Sequence, residues 1–405
     1  MRVTVPQVIL LGLLLRVLWV VLIPVQPVSD SAAYDALAQT LFSDGVYGWT
    51  ASEPSAYWAV GTSAITAATF FLFGETYWGI VGLNLISSVV LMGVSWRLAY
   101  QYFGARPAYW TVVALALWPN LIFFTSILSS ELYFMTLTVA GLFFWSRRQG
   151  MWWVNLLLCG LIWGLACYIR PVILLFPAAM AIAALSDGWK STLMGSLKAA
   201  VAIGLIVAVV SPWTARNAEV MGKPFLVSSN FGTNLWMGNN PASDGGYTPL
   251  PPEVSGMSEL EREDYLKDKA WAYIAEDRVR FAKTVGLRIF DLHSRETIGV
   301  AWNLAAIKSW VGDTGVLLAK ALSSAYWIFL VIAALGGLVV LWSSMKLAAL
   351  FHPIFGGWAY FTAVHSIIVS GDRYHMPSSP FVAILAGVCL AWVMGKFSKK
   401  ETEFS

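Results

Sequence analysis

Apolar residues recur in long unbroken runs, not in the short alternations of a sheet or the one-sided stripes of a surface helix. A helix needs roughly 20 apolar residues to cross about 30 Å of hydrocarbon. Runs of that kind fall near residues 6–26, 78–101, 107–126, 130–146, 152–169, 171–187, 194–213, 318–342, 346–368 and 377–395. The pattern predicts about ten transmembrane helices. One further run, YWAVGTSAITAATFFLFG at 57–74, is short and is bracketed by Gly61 and Gly74. Lysine and arginine accumulate on cytoplasmic loops, and this bias decides between topologies. With the N-terminus inside and ten spans, Arg106, Arg147, Arg148, Lys190, Lys198, Lys346, Lys396, Lys399 and Lys400 all fall on the inner side. An eleventh span at 57–74 inverts every later loop, so this run is predicted as a re-entrant or interfacial helix on the outer side.

That topology leaves two long outer segments, 27–77 and 214–317. The second is the one extended polar stretch of the chain. Its first part, NFGTNLWMGNNPASDGGYTPLPP, is rich in Gly, Asn and Pro and reads as ordered loop. Its second part has helical periodicity from Ser258, which opens a capping box with Glu261. Leu260, Leu266, Trp271, Ile274, Val279 and Phe281 are expected along one apolar side. No internal repeat is visible, and residues 1–405 read as a single membrane domain.

Composition agrees. The chain is 58% hydrophobic and only 12% charged, against about 25% charged in soluble domains. A net charge of +3 gives no footing for a nucleic-acid partner. Many of the 21 Trp and 15 Tyr sit near the ends of the apolar runs, where aromatic belts form. Cys159, Cys167 and Cys389 lie inside apolar runs and define no disulfide framework or metal motif. The first run lacks a small-residue cleavage site and is expected to be a retained anchor.

Against this background the informative charges are those at the outer boundaries: Asp30, Asp35, Glu53, Glu131, Arg170, Arg216, Arg373 and His375. Ionisable groups near a membrane core are costly and usually functional. Each has a plainer alternative. Asp30 can cap the helix that follows it, Asp35 can face water, Glu131 can cap a span, and Glu53 lies in a short polar loop. A lone Arg can snorkel to the headgroups. Three arginines on the outer side nevertheless run against the charge bias, and the guanidinium fork suits phosphate oxygens. A carboxylate beside an outer phosphate cradle suits an enzyme that uses a lipid phosphate.

The chain resembles the GT-C glycosyltransferases, and most of all the bacterial relatives of the protein O-mannosyltransferase and aminoarabinose-transferase group. The resemblance rests on SDSAAYDALAQTLFSDGVY, EPSAYWAVGTSAI, LWPNLIFFTSILSSELYF, YIRP, SPWTARNAEVMGKPFLVSSNFGTNLWMGNNP and GDRYHMPSSP, taken in this order. It covers nearly the whole chain. It implies an all-α polytopic GT-C fold with outer juxtamembrane helices and one large outer loop. The donor would be a sugar on a polyprenyl monophosphate and the acceptor a glycan, lipid or protein hydroxyl. Asp30 would be the general base. Its motif neighbour is Ser31 where many relatives carry a second acid, leaving Asp35 or Glu53 to supply one if any residue does. Arg170, Arg216, Arg373 and His375 would bind the donor phosphate. Tyr34, Glu131, Asn217, Asn234, Asn239, Asn240 and Tyr374 would contact sugar or acceptor, although the asparagines can equally form turns.

No cofactor is required. A divalent cation is allowed through Asp30 with Glu53 or Glu131 by way of water. The setting implied is the bacterial inner membrane, with both termini cytoplasmic and the active site outside. The soluble C-terminal domain of larger relatives is not expected. Two other classes stay open on sequence: a ligase or polymerase acting on lipid-diphosphate glycans, and a lipid or glycan transporter.

Overall fold

The computed structural model describes residues 3–187 and 189–403, with side chains for all of these but 186, 187, 189 and 396–403. It is an all-α polytopic fold. Among the described residues six helices are long and apolar enough to cross a membrane. They are α1 (Val5–Leu22), α4 (Trp78–Phe103), α8 (Trp152–Ile169), α10 (Trp189–Met221), α15 (Leu304–Met345) and α17 (Ser379–Glu403). The run at 107–126 makes a seventh as a bent pair, α5 (Ala105–Leu117) and α6 (Pro119–Phe123), with a 56° angle at the break. The remaining runs form shorter helices: α7 (Glu131–Ser146), α9 (Phe176–Ile182) and α16 (Pro353–Ile367). Pro171, Pro177 and Pro353 sit at the starts of helical segments there and interrupt what would otherwise be longer spans.

The long helices share one core. α17 packs against α15 and α5, α8 against α7 and α10, and α4 against α5 and α7. Trp118, Trp163, Phe134, Phe176, Phe361 and Phe381 are fully buried between them. The bundle has two chemically distinct ends. At one, Tyr102 and Gln101 bond to Ser146, and Lys198 caps the ring of Trp145. Arg106, Arg147, Arg148 and Lys198 belong to this end. α4 spans about 39 Å at 1.5 Å per residue. Its other end begins after Tyr77, which bonds to Asp35. Asp30, Glu131 and Arg170 lie at this second end, where α7 begins and α8 finishes. The tail lysines Lys396, Lys399 and Lys400 fall outside the described side chains.

The break in α5–α6 has a cause that the sequence did not announce. Pro119 has no N–H to give to Leu115 O, and the extended backbone at Trp118 (ψ 112°) ends α5 and leaves Ala116 O without its helical donor as well. Arg16, from the middle of α1, supplies them: its guanidinium donates to Leu115 O at 2.9 Å and Ala116 O at 3.0 Å. The approach is close because Gly12 lies against Ala116, where an added Cβ would meet the alanine Cβ at 2.9 Å. Arg16 is 1% exposed, so its loss strands two buried carbonyls. Arg16→Leu should therefore lower stability by on the order of 3 kcal/mol, read as a fall in Tm of the detergent-purified protein, with Arg16→Lys recovering part of it.

The segments 27–77 and 214–317 form a lobe over the second end. α2 (Asp30–Asp44) follows α1 directly, and a short hairpin of β1 (Gly48–Thr50) and β2 (Glu53–Pro54) follows α2. α3 (Val60–Phe73), the run placed on the outer side by sequence, has 14 residues and so reaches only about 21 Å. It packs on α2 and α4 and touches α8, where Gly61 lies against the Tyr168 carbonyl. The 214–317 segment contributes α11 (Phe231–Asn239), α12 (Glu259–Glu276), α13 (Arg278–Ser294) and α14 (Ile298–Trp302). The Ser258–Glu261 capping box is present at the start of α12. The single apolar side expected beyond it is not. Asp277 ends α12 and caps α13 by accepting from Arg280 N at 2.8 Å. The helix phase resets there. Leu266 is buried against Leu235, while Trp271 and Val279 are exposed.

Candidate active site

Asp30 is the first residue of α2, and its carboxylate does not cap that helix. It forms an ion pair with Arg373, in the non-helical link between α16 and α17, with the two side chains 15% and 18% exposed. The preceding residue, Ser29, has φ +52° and ψ −126°, a strained conformation for a residue with a Cβ. Ser31 fixes the next turn by donating to Leu128 O at 2.6 Å. Beyond Asp30 and Arg373 opens a cavity of about 610 Å³. Its walls include Tyr374 and Asp372 from the same link, Trp302 from α14, and Asp291 and Arg295 from the α13 end.

Arg373 is boxed in. Its guanidinium lies 5.2 Å from the Trp302 ring centre and donates to Tyr374 Oη at 3.3 Å. Burial opposes its charge, but Tyr374, Asp30 and Glu131 overcome that and hold the guanidinium firmly protonated. On the other side of Glu131, Arg170 pairs with the Glu131 carboxylate and donates from Nε to Ser130 Oγ at 2.9 Å. The result is a row of alternating charge, Arg170, Glu131, Arg373, Asp30. Tyr34 packs its ring edge on Trp58 beside this row, and burial raises its hydroxyl pKa, with Asp30 adding to the effect. Tyr57 also feels Asp30, and burial pushes it up to about 12.

Of the residues singled out in the sequence, Asp30, Tyr34, Glu131, Arg170, Arg373 and Tyr374 come together here. The others go elsewhere. Arg216 donates to Tyr47 O at 2.8 Å and Ser55 O at 2.9 Å and lies over Trp213, so it ties the β-hairpin to α10. His375 turns away from the cavity: its Nε2 is 2.9 Å from Glu296 and its ring stacks on Trp327. Asp35 faces the other side of α2, bonded by Gln39 and Tyr77, and burial raises its pKa. Glu53 is exposed on β2. Asn217 donates to Phe225 O at 3.0 Å, and Asn239 and Asn240 donate to carbonyls at the end of α11. These three asparagines are 6% exposed or less and satisfy backbone. Asn234 is half-buried on α11 and does not line the cavity.

The acids proposed for a divalent cation do not fit one. Asp30 and Glu131 each face a guanidinium that repels a cation, and Glu53 is on the exposed hairpin. Among the described residues no group of three or more His, Cys, Asp or Glu is arranged to hold a metal. Trp302, Asp372 and Glu296 carried no sequence signal. Trp302 and Glu296 lie on the turn from α13 into α14, which no periodicity marks, while Asp372 comes with Arg373 on the α16–α17 link.

Membrane-length helices meeting an acid–guanidinium cavity at one end define the class: this is a polytopic membrane protein with a site at one end of its bundle. Residues 59–215 match the profile of the dolichyl-phosphate-mannose-protein mannosyltransferase family. The fold is similar to that of ArnT from Cupriavidus metallidurans bound to undecaprenyl phosphate, with a TM-score of 0.58 at 16% identity, over 95% of this chain and 59% of that one. It is also similar to the Archaeoglobus fulgidus oligosaccharyltransferase in the apo form (TM-score 0.56, 11% identity, 99% of this chain and 52% of that one). AglB from the same organism, in complex with an inhibitory peptide and a dolichol-phosphate, matches at TM-score 0.55 and 12% identity, over 98% of this chain and 51% of that one. The chain thus spans between half and three-fifths of the length of these proteins. No curated protein matches it.

Proposed function

We propose that the protein is an integral-membrane glycosyltransferase that moves a sugar from a polyprenyl-phosphate donor to an acceptor hydroxyl, with inversion at the anomeric carbon. The observation that carries this is the Asp30–Arg373 pair at the wall of the cavity. The acceptor oxygen attacks the anomeric carbon and its proton passes to Asp30. The bond from that carbon to the phosphate oxygen breaks, and its electron pair leaves with the phosphate. Arg373 neutralises the charge that develops there. A guanidinium has five N–H donors, so Arg373 can hold Asp30 and Tyr374 and still reach a phosphate. The solved ArnT and AglB complexes, which contain undecaprenyl phosphate and a dolichol-phosphate, support this donor class. The test is release of free polyprenyl monophosphate when purified protein is given a polyprenyl-phosphate sugar and a hydroxyl acceptor. A diphosphate product would point to a ligase or polymerase instead, and no release at all to a transporter.

We place the cavity on the extracytoplasmic side of a bacterial inner membrane and both termini in the cytoplasm. The basic residues gathered at the far end of the bundle support this orientation. Ala242 is exposed in the loop after α11 and Gln149 is exposed in the turn between α7 and α8. A cysteine at Ala242 should react with an impermeant thiol reagent in intact cells and a cysteine at Gln149 should not. The opposite labelling would invert the topology.

A further inference from the structure

We infer that Glu296 is a positioning residue for Arg373. This rests on the phosphate role given to Arg373 above. Glu296 sits in the short link between α13 and α14 and is completely buried. It does not line the cavity. One carboxylate oxygen is 2.9 Å from His375 Nε2, while the other accepts from Trp118 Nε1 at 2.8 Å and from Ser323 Oγ at 3.4 Å. The next residue, Thr297, donates from N and Oγ1 to Asp372 at 2.8 and 2.5 Å. Two adjacent residues of one segment therefore grip residues 372 and 375 of another, and Arg373 lies between the two grips.

The link that carries Arg373 is irregular around that residue and is also held by Tyr374 stacked on His365 and by Ser370 N donating to Gly245 O. Residues 371–376 form tight turns, with Tyr374 N donating to Gly371 O and Met376 N to Arg373 O. Such turns are free to pivot unless anchored at both sides. On one side Asp372 is held by Thr297. On the other, the His375 ring lies flat on Trp327 with centroids 4.1 Å apart and its Nε2 fixed by Glu296. The ring has no room to swing, so the guanidinium two residues earlier is aimed at Asp30.

A buried carboxylate is a poor way to gain stability, because apolar residues of similar volume usually serve the fold as well. Its use at this point is geometric. A guanidinium misplaced by an ångström loses most of its value in a site of this kind.

The test measures binding of undecaprenyl phosphate to the detergent-purified full chain, alongside Tm and the acceptor KM. Glu296→Gln keeps the size and one acceptor for Trp118 but loses the charge facing His375. It should weaken undecaprenyl phosphate binding on the order of tenfold or more and leave the acceptor KM unchanged. In an Arg373→Ala background it should cost nothing further, because it acts only through Arg373. Wild-type binding in Glu296→Gln, or a loss that adds in full to that of Arg373→Ala, would overturn the inference and leave the proposed function standing. Wild-type binding in Arg373→Ala would remove the phosphate role itself and the inference with it. Should Glu296→Gln not yield monodisperse protein, Thr297→Val loosens the other grip. It should weaken undecaprenyl phosphate binding in the same direction and also be silent without Arg373, and additivity there would sink the idea equally.

Discussion

Asp30→Asn should lower the rate of sugar transfer by about 10²- to 10⁴-fold, the usual contribution of a positioned general base. The amide keeps the size of the side chain and still accepts a hydrogen bond from Arg373, so the protein should elute normally in gel filtration. What it loses is the capacity to take the acceptor proton. The alternative role was a helix cap, and Asn caps as well as Asp. The carboxylate is turned toward Arg373, not toward the first turn of α2, so a capping role predicts a silent substitution where a base predicts a large loss. Retention of more than about a tenth of the rate would leave less than roughly 1.4 kcal/mol of barrier to the charge. Asp35→Asn should be mild by comparison, since that side chain is bonded to Gln39 and Tyr77 on the far face of the helix.

Arg373→Ala should reduce turnover by about 10²- to 10³-fold, the loss seen when one donor to a developing oxyanion is removed. Arg373→Lys should recover only part, because an ammonium cannot span Asp30, Tyr374 and a phosphate together. Arg216→Ala gives the contrast. Its guanidinium holds the carbonyls of Tyr47 and Ser55, so the expected effect is a lower Tm with kcat largely kept. The measurement is kcat and Tm for both variants on one preparation. Equal losses of kcat would return Arg216 to the cavity.

The contrast between these two arginines shows how far the sequence reaches. Runs of apolar residues and the bias of Lys and Arg assign the charged residues that flank the spans to one end of the bundle or the other. Both Arg216 and Arg373 are at the second end. They do not say where on that end a residue lies, because lateral position comes from which helices pack together. Arg373 meets Asp30 because α16 and α17 bring their link over the start of α2. Arg216 leaves α10 on the side of the hairpin.

The asparagines fail for a different reason. NLWMGNN looks like a row of sugar ligands, but a helix ends there. Its last carbonyls need donors; Asn240 gives its side-chain amide to one of them, Met237 O, and Asn239 gives its own to Ile367 O and Ile368 O at the end of α16. The break at Trp118–Pro119 was hidden for a third reason. A proline inside an apolar run reads as a tolerated kink, and its compensation by Arg16 comes from a residue about 100 positions away.

On the proposed function, the alternating row, which reaches the cavity wall at Arg373 and Asp30, has a consequence for the order of events after transfer. Before reaction, two cations and two anions balance. When Asp30 accepts the proton it becomes neutral, and one positive charge of the row is left without a counter-charge. At that moment the departing phosphate changes from a diester with a single negative charge to a monoester carrying about −1.5 to −2. The surplus on the wall and the surplus on the leaving group appear together and face each other. No solvent has to rearrange to meet the new charge, but the spent lipid becomes a tighter ligand than the fresh donor. Discharge of the Asp30 proton to water is then the event that loosens it. The protein would then rest between cycles with its used carrier in place.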